Sequence, residues 1–131
     1  MVIDTAVLIA ILLGEEDADT YLQILDTEYD LLISAAALVE ATAVMLRRGG
    51  PGSVDDLNEF LDRAEIEIVP VSVSQARMAQ RAYLSYGKGR HVAGLNFGDC
   101  FAYALTKETG EKLLFKGSDF SRTDISPALS P

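Results

Sequence analysis

Val2-Ile3-Asp4-Thr5-Ala6-Val7-Leu8-Ile9-Ala10-Ile11-Leu12-Leu13-Gly14 opens the chain, and its reading decides the fold. Val2-Ile3 before Asp4 predicts a short buried strand that ends in a carboxylate. The apolar run from Ala6 to Leu13 is too long for an ordinary strand and is closed by Gly14. It predicts a buried helix, capped by Asp4 or Thr5. Strand, acid and buried helix together begin a β–α unit.

The same alternation continues outward. Ala18, Tyr21, Leu22 and Leu25 recur at helical spacing among Glu15, Glu16, Asp17 and Asp19, which predicts an amphipathic helix with acids in its first turn. Leu31-Leu32-Ile33 is a second strand, and Ser34 caps a helix from Ala35 to about Arg48, ended by Gly49-Gly50-Pro51-Gly52. Val54, Leu57, Leu61 and Ala64 mark a further helix, Ile66 to Val69 a strand, and Ser74 to Tyr86 a helix. A glycine-punctuated basic loop runs from Tyr86 to Leu95, followed by a helix from Asn96 to Thr109 and a strand from Lys112 to Phe115. Thr123-Asp124-Ile125 reads as a last short strand and 126–131 as a tail. Strands alternating with helices predict an α/β sandwich around a short, mostly parallel sheet, with one domain over 1–125.

Composition narrows the class. At 131 residues, 49% hydrophobic and 24% charged, the chain has the makeup of one globular domain. A lone Cys100 and a lone His91 exclude a disulfide framework and a Cys/His zinc site within one chain. No apolar run reaches the roughly 18 residues of a membrane span. No basic leader precedes Val2. A reduced cytoplasmic protein without membrane contact is the expectation. The formal charge of −9, from 11 basic and 20 acidic residues, argues against broad nonspecific duplex binding.

Four carboxylates sit in apolar surroundings. Asp4 lies between two apolar runs. Glu40 lies in Ala35-Ala36-Ala37-Leu38-Val39-Glu40-Ala41-Thr42-Ala43-Val44, a helix apolar nearly all round and expected to be mostly buried, with no Lys or Arg three or four residues away. Asp99 stands in Asn96-Phe97-Gly98-Asp99-Cys100-Phe101, and Asp119 in Lys116-Gly117-Ser118-Asp119-Phe120. Each has a structural alternative. Asp4 caps a helix, Asn96 and Asp99 form a capping pair, and Asp119 starts a turn. Four acids together, three at element boundaries, favour a shared hard cation such as Mg²⁺ or Mn²⁺.

With these residues the chain resembles the PIN-domain ribonucleases, in particular the VapC-type toxins of bacterial toxin–antitoxin pairs, from Met1 to about Ile125. The resemblance rests on the opening strand with Asp4, Ala37-Leu38-Val39-Glu40-Ala41, Gly98-Asp99-Cys100-Phe101-Ala102-Tyr103, Leu113-Leu114-Phe115 through Asp119, and the stretch Tyr86-Gly87-Lys88-Gly89-Arg90-His91 through Asp99. It implies a PIN-like α/β/α sandwich and a Mg²⁺-dependent endoribonuclease with Asp4, Glu40, Asp99 and Asp119 as catalytic acids. It places the metal on Asp4 and Asp99, with Glu40 orienting water. It also implies a homodimer and a VapB-type antitoxin whose helix lies in an apolar groove. Ala6 stands where relatives often carry Ser or Asn. Lys116 and Ser118 precede the last acid where Thr, Asn or Asp is common, so Asp119 carries less of the expected metal contact. Lys88, Arg90 and His91 concentrate positive charge in an acidic chain and are expected to touch RNA.

Three other classes fit less well. A phosphotransferase of the haloacid-dehalogenase type needs a second Asp where Ala6 stands. A receiver domain needs an acidic pair that the chain lacks. A non-catalytic PIN-like module that binds RNA or protein would have lost an acid, and all four are present.

Overall fold

A computed structural model describes residues 1–128. The strands are β1 (Val2–Ile3), β2 (Leu32–Ser34), β3 (Glu67–Val69) and β4 (Leu113–Leu114). The helices are α1 (Thr5–Leu12), α2 (Ala18–Thr27), α3 (Ala35–Gly49), α4 (Gly52–Arg63), α5 (Val73–Tyr86) and α6 (Asp99–Thr109). The four strands form one sheet in the order β3-β2-β1-β4, with every pairing parallel. Val2 stands level with both Leu32 and Leu113, and Ile3 with Leu114.

Alternation along these short strands builds two cores. Ile3, Leu31, Ile33 and Leu114 face one way and pack with α1–α4 through Leu8, Tyr21, Ala37, Met45 and Leu57. Val2 and Leu113 face the other way and pack with α5 and α6 through Ala79, Ala82, Tyr103 and Leu105. The result is an α/β/α sandwich in which a parallel sheet is covered on both faces, as its backbone crossovers require. The expected α1 is buried along Thr5, Val7, Leu8, Ile9 and Ala10. No helix of the described residues is long and apolar enough to cross a membrane.

Three expectations are corrected. α3 buries only Ala37, Ala41 and Met45, while Val39 is 68% and Leu46 47% exposed. Its apolar residues outnumber the positions that face the sheet. Helix α6 starts at Asp99, with Asn96 outside it as a side-chain cap. Thr123–Ile125 is not a strand. Phe120–Arg122 forms a 3₁₀ turn, Thr123 Oγ1 donates to the Phe120 carbonyl at 2.6 Å, and the Ile125 N–H donates to Thr123 Oγ1 at 3.2 Å. Such side-chain-to-backbone bonds compete with a sheet ladder. The ladder is taken up one step later. The Leu113 N–H donates to the Ser126 carbonyl at 3.2 Å, and the Ala128 N–H donates to the Leu113 carbonyl at 2.9 Å. Residues 126–128, expected as the start of a tail, thus line β4, and 129–131 lie outside the described residues.

Candidate active site

In open parallel sheets, ligands bind beyond the carboxyl ends of the strands where the strand order reverses. Here that point lies between β1 and β4, because the chain runs outward from β1 through β2 to β3 and returns to β1's other side. Asp4 sits there. Its N–H donates to the Leu114 carbonyl at 3.0 Å, and its own carbonyl accepts from Val7 at 3.1 Å as α1 begins. The side chain is 4% exposed and makes no capping hydrogen bond. A cleft of about 330 Å³ opens above it, lined in part by Thr5, Glu40, Asn96 and Asp99.

Two helices deliver the other acids. Ser34 caps α3 by accepting from the Ala36 N–H at 3.2 Å. Thr5 Oγ1 donates to the Ala37 carbonyl at 3.4 Å and ties the start of α1 to the first turns of α3. Four-residue steps then sort α3 into faces. Ala37, Ala41 and Met45 enter the core, whereas Glu40, Val44 and Arg48 line the cleft. At α6, the Asp99 N–H donates to Asn96 Oδ1 at 2.8 Å and the Asn96 N–H donates to Asp99 Oδ2 at 2.9 Å. This is the reciprocal capping pair anticipated as an alternative. It engages one carboxylate oxygen of Asp99 and fixes the side chain at the cleft wall.

Gly98 permits this arrangement. A Cβ there would overlap the Glu40 carboxylate. The backbone of Gly98 has ordinary right-handed angles, so close approach, not backbone freedom, requires glycine.

Burial and mutual repulsion raise two of the cleft's acids. Burial, then the charges of Asp99 and Glu40, push Asp4 up to about 7, partly offset by the Ala6 and Thr5 amides. Burial also pushes Asp99 up to about 6, against the Asn96 N–H, with Glu40 and Asp119 adding to the rise. Among the described residues, no Lys or Arg forms an ion pair with Asp4, Glu40 or Asp99. Nor do three acid, His or Cys side chains among them already converge as a ligand cage. Mg²⁺ needs no such cage, since it is commonly held by one or two carboxylates and keeps several waters. Hard carboxylate oxygens of Asp4, Glu40 and Asp99, without a Lys or Arg partner among the described residues and lining one open cleft, fit that ion.

The remaining candidates fall elsewhere. Asp119 is exposed at the start of the 3₁₀ turn, outside the cleft lining, and reaches Asp99 through its charge. Asp124, which is not among those candidates, is held by the Tyr103 hydroxyl at 2.7 Å and Lys107 at 2.9 Å. Lys88, Arg90 and His91 are exposed on a loop separate from the lining. The loop is pinned, because the Lys88 N–H donates to the Leu95 carbonyl and Arg90 Nε to the Leu84 carbonyl at 3.2 Å. His91 Nδ1 accepts from the Ala93 N–H at 3.0 Å. Cys100 is buried and its thiol is pushed up to about 11, which removes it as a nucleophile. Sequence reading missed Glu15 as a cleft residue, taking it for a first-turn helix acid. α2 starts only at Ala18, and Glu15 lines the cleft with Arg48 and Lys116. Nothing local in the sequence signals this, because the three meet only across the fold.

Two outcomes follow. The raised Asp4 and Asp99 values mean that the metal-free folded chain binds protons more tightly than the unfolded chain. Stability is therefore greatest below about pH 4 with respect to these groups, and is lost as pH rises toward about 7. In EDTA, the melting temperature of Asp4→Asn relative to wild type should climb across that window; a pH-independent difference would contradict the assigned burial. Gly98→Ala should displace the Glu40 carboxylate and reproduce the loss of RNA cleavage expected of Glu40→Gln, with melting nearly unchanged. Wild-type cleavage in Gly98→Ala would show that the close approach is not needed.

The PIN domain family matches residues 1–126. The chain is 44% identical to ribonuclease VapC30 of Mycobacterium tuberculosis over 131 residues, all of both chains. It is also 44% identical to a ribonuclease VapC of Mycolicibacterium smegmatis, over 96% of this chain and 98% of the other. The fold matches the crystal structure of Mycobacterium tuberculosis VapC20, a sarcin-ricin loop cleaving toxin, with a TM-score of 0.78 at 15% identity over 95% of each chain. The family match and the full-length similarity agree, and the chain belongs to the PIN-domain family of VapC ribonucleases.

Proposed function

We propose that the protein is a Mg²⁺-dependent endoribonuclease that acts as the toxin of a toxin–antitoxin pair and hydrolyses phosphodiester bonds in RNA. The observation that supports it most is Asp4, a carboxylate 4% exposed, with no Lys or Arg paired to it among the described residues and with the charges of Asp99 and Glu40 beside it. Keeping such a group costs several kcal/mol unless something positive joins it. Mg²⁺, when bound, supplies charge to phosphate oxygens and lowers the pKa of a water.

Asp4 and Asp99 hold the cation. Asp99 keeps Oδ2 on the Asn96 N–H and lines the cleft, and this capping bond holds the carboxylate in place at the wall. Glu40 would orient the attacking water or take its proton; its place in the cleft lining, hard against Gly98, supports that role. Asp119 acts from the rim, with a weaker share. Lys88, Arg90 and His91 extend the contact with RNA along the basic loop. The cytoplasm, where RNA substrates lie, is its place of action.

The decisive measurement is cleavage of RNA with and without EDTA, beside thermal melts. Asp4→Asn, Asp99→Asn and Glu40→Gln should lose activity by orders of magnitude while remaining folded, and Asp119→Asn should lose less. If the acids only cap helices, Asn serves nearly as well as Asp and activity survives. The Lys88→Ala/Arg90→Ala variant should cleave with a raised KM; an unchanged KM would remove the loop from the RNA path.

A VapB-type antitoxin and a second copy of the chain are the proposed protein partners. The support is exposed apolar surface: Val39 and Leu46 on α3, Tyr83 and Leu84 on α5, and Phe97, 75% exposed, before α6. An amphipathic antitoxin helix in such a groove buries its apolar face there. Native mass measurement after co-expression with the neighbouring gene should give a complex containing two copies of this chain; a free monomer would refute both partners.

A further inference from the structure

Two cations line the acidic cleft, and both are engaged by one carboxylate. Lys116 Nζ lies 2.7 Å from Glu15 Oε1 and 3.1 Å from Asp17 Oδ1, and Arg48 lies 3.4 Å from Glu15 Oε2. Arg48 comes from the last turn of α3, on the same face as Glu40 and about 12 Å further along the helix by its rise of 1.5 Å per residue. Lys116 follows β4, two residues beyond the Leu114 carbonyl that holds the Asp4 N–H. The two cations therefore reach the cleft from different elements and meet at Glu15, 27% exposed, in the turn between α1 and α2.

Stability does not explain this convergence. Arg48 is 48% and Lys116 37% exposed, and ion pairs of that exposure contribute little to folding. In an acidic chain, placing two of its 11 basic residues beside a pocket of repelling carboxylates serves another purpose. An RNA strand entering this cleft brings phosphates whose charge the acids repel.

We propose that Arg48 and Lys116 form a phosphate-binding saddle for the RNA backbone beside the metal-binding acids, and that Glu15 occupies it in the free enzyme. The proposal rests on reading the cleft as the ribonuclease site. A phosphate oxygen replaces the Glu15 carboxylate between the two cations on binding. Arg48 supplies a planar fork suited to paired oxygens, and Lys116 a point charge. Asp17, which also accepts from the Tyr21 hydroxyl at 2.9 Å, keeps Lys116 at the cleft edge while Glu15 is displaced. Arg48 and Lys116 thus position substrate, and Glu15 sets the affinity.

The test separates binding from cutting. In an Asp99→Asn background with Mg²⁺, a short single-stranded oligoribonucleotide is titrated across a salt series against Arg48→Met, Lys116→Met and Glu15→Gln. Each Met substitution should weaken binding about tenfold and flatten the salt slope by about 0.7, the value for one lost phosphate contact on a single strand. Glu15→Gln should tighten binding severalfold. With Asp99 restored, the Met variants should raise KM and leave kcat nearly unchanged. Parental affinity and slope in both Met variants, or weaker binding in Glu15→Gln, overturns the saddle. If Asp99→Asn itself still cleaves, the cleft is not the ribonuclease site, and that failure is visible before any binding is measured.

Discussion

A carboxylate buried at the end of the central strand is the constraint on which the rest of this fold depends. Asp4 cannot leave its place, because its backbone joins β1 to β4 and starts α1. Its side chain is eased only in part by the Ala6 and Thr5 amides, and among the described residues no Lys or Arg pairs with it. The surroundings add to the difficulty, since α3 and α6 bring Glu40 and Asp99 toward it. Removing charges from water costs several kcal/mol each, and like charges raise that cost. A molecule whose only task was to be stable would place an apolar residue here.

What holds the acids in this arrangement is apolar packing on both sides of a small parallel sheet. Leu8, Ile33, Met45 and Leu57 on one face and Leu105, Leu113 and Phe120 on the other are almost fully buried. These contacts fix the helix axes. The helices then place the acids as a by-product of their periodicity, Glu40 one step round from Ala37 and Ala41, and Asp99 at the first turn of α6. Gly98 shows how tight the result is, for one methyl group there competes with the Glu40 carboxylate for the same space.

Charge in the cleft is arranged in two tiers. The floor is acidic and unpaired, which suits a small hard cation. The edge is basic but neutralised by Glu15 and Asp17. Such an arrangement keeps the cations in reach of the floor without letting them collapse onto its acids.

The sequence alone determined the β–α alternation, because hydrophobic period and cap chemistry are local properties. It also determined which carboxylates are out of place: Asp4, Glu40 and Asp99 stand in apolar runs, and the cleft brings these three together. Asp119 was selected by its motif, and its motif did not reveal that it lies on the exposed rim. Local patterning failed in three kinds of place. Burial of α3 was overestimated, because an apolar helix face is buried only if a neighbour covers it, and Val39 and Leu46 have none in this chain. The end of the chain was misread as strand and tail, because Thr123 hydrogen-bonds its own backbone and Ser126–Ala128 pairs with a strand ten or more residues earlier. The meeting of Glu15, Arg48 and Lys116 was invisible, since they come from three elements separated by 33 and 101 positions. Only the tertiary structure decides such contacts, because their geometry belongs to the packing of the helices on the sheet and not to any stretch of chain.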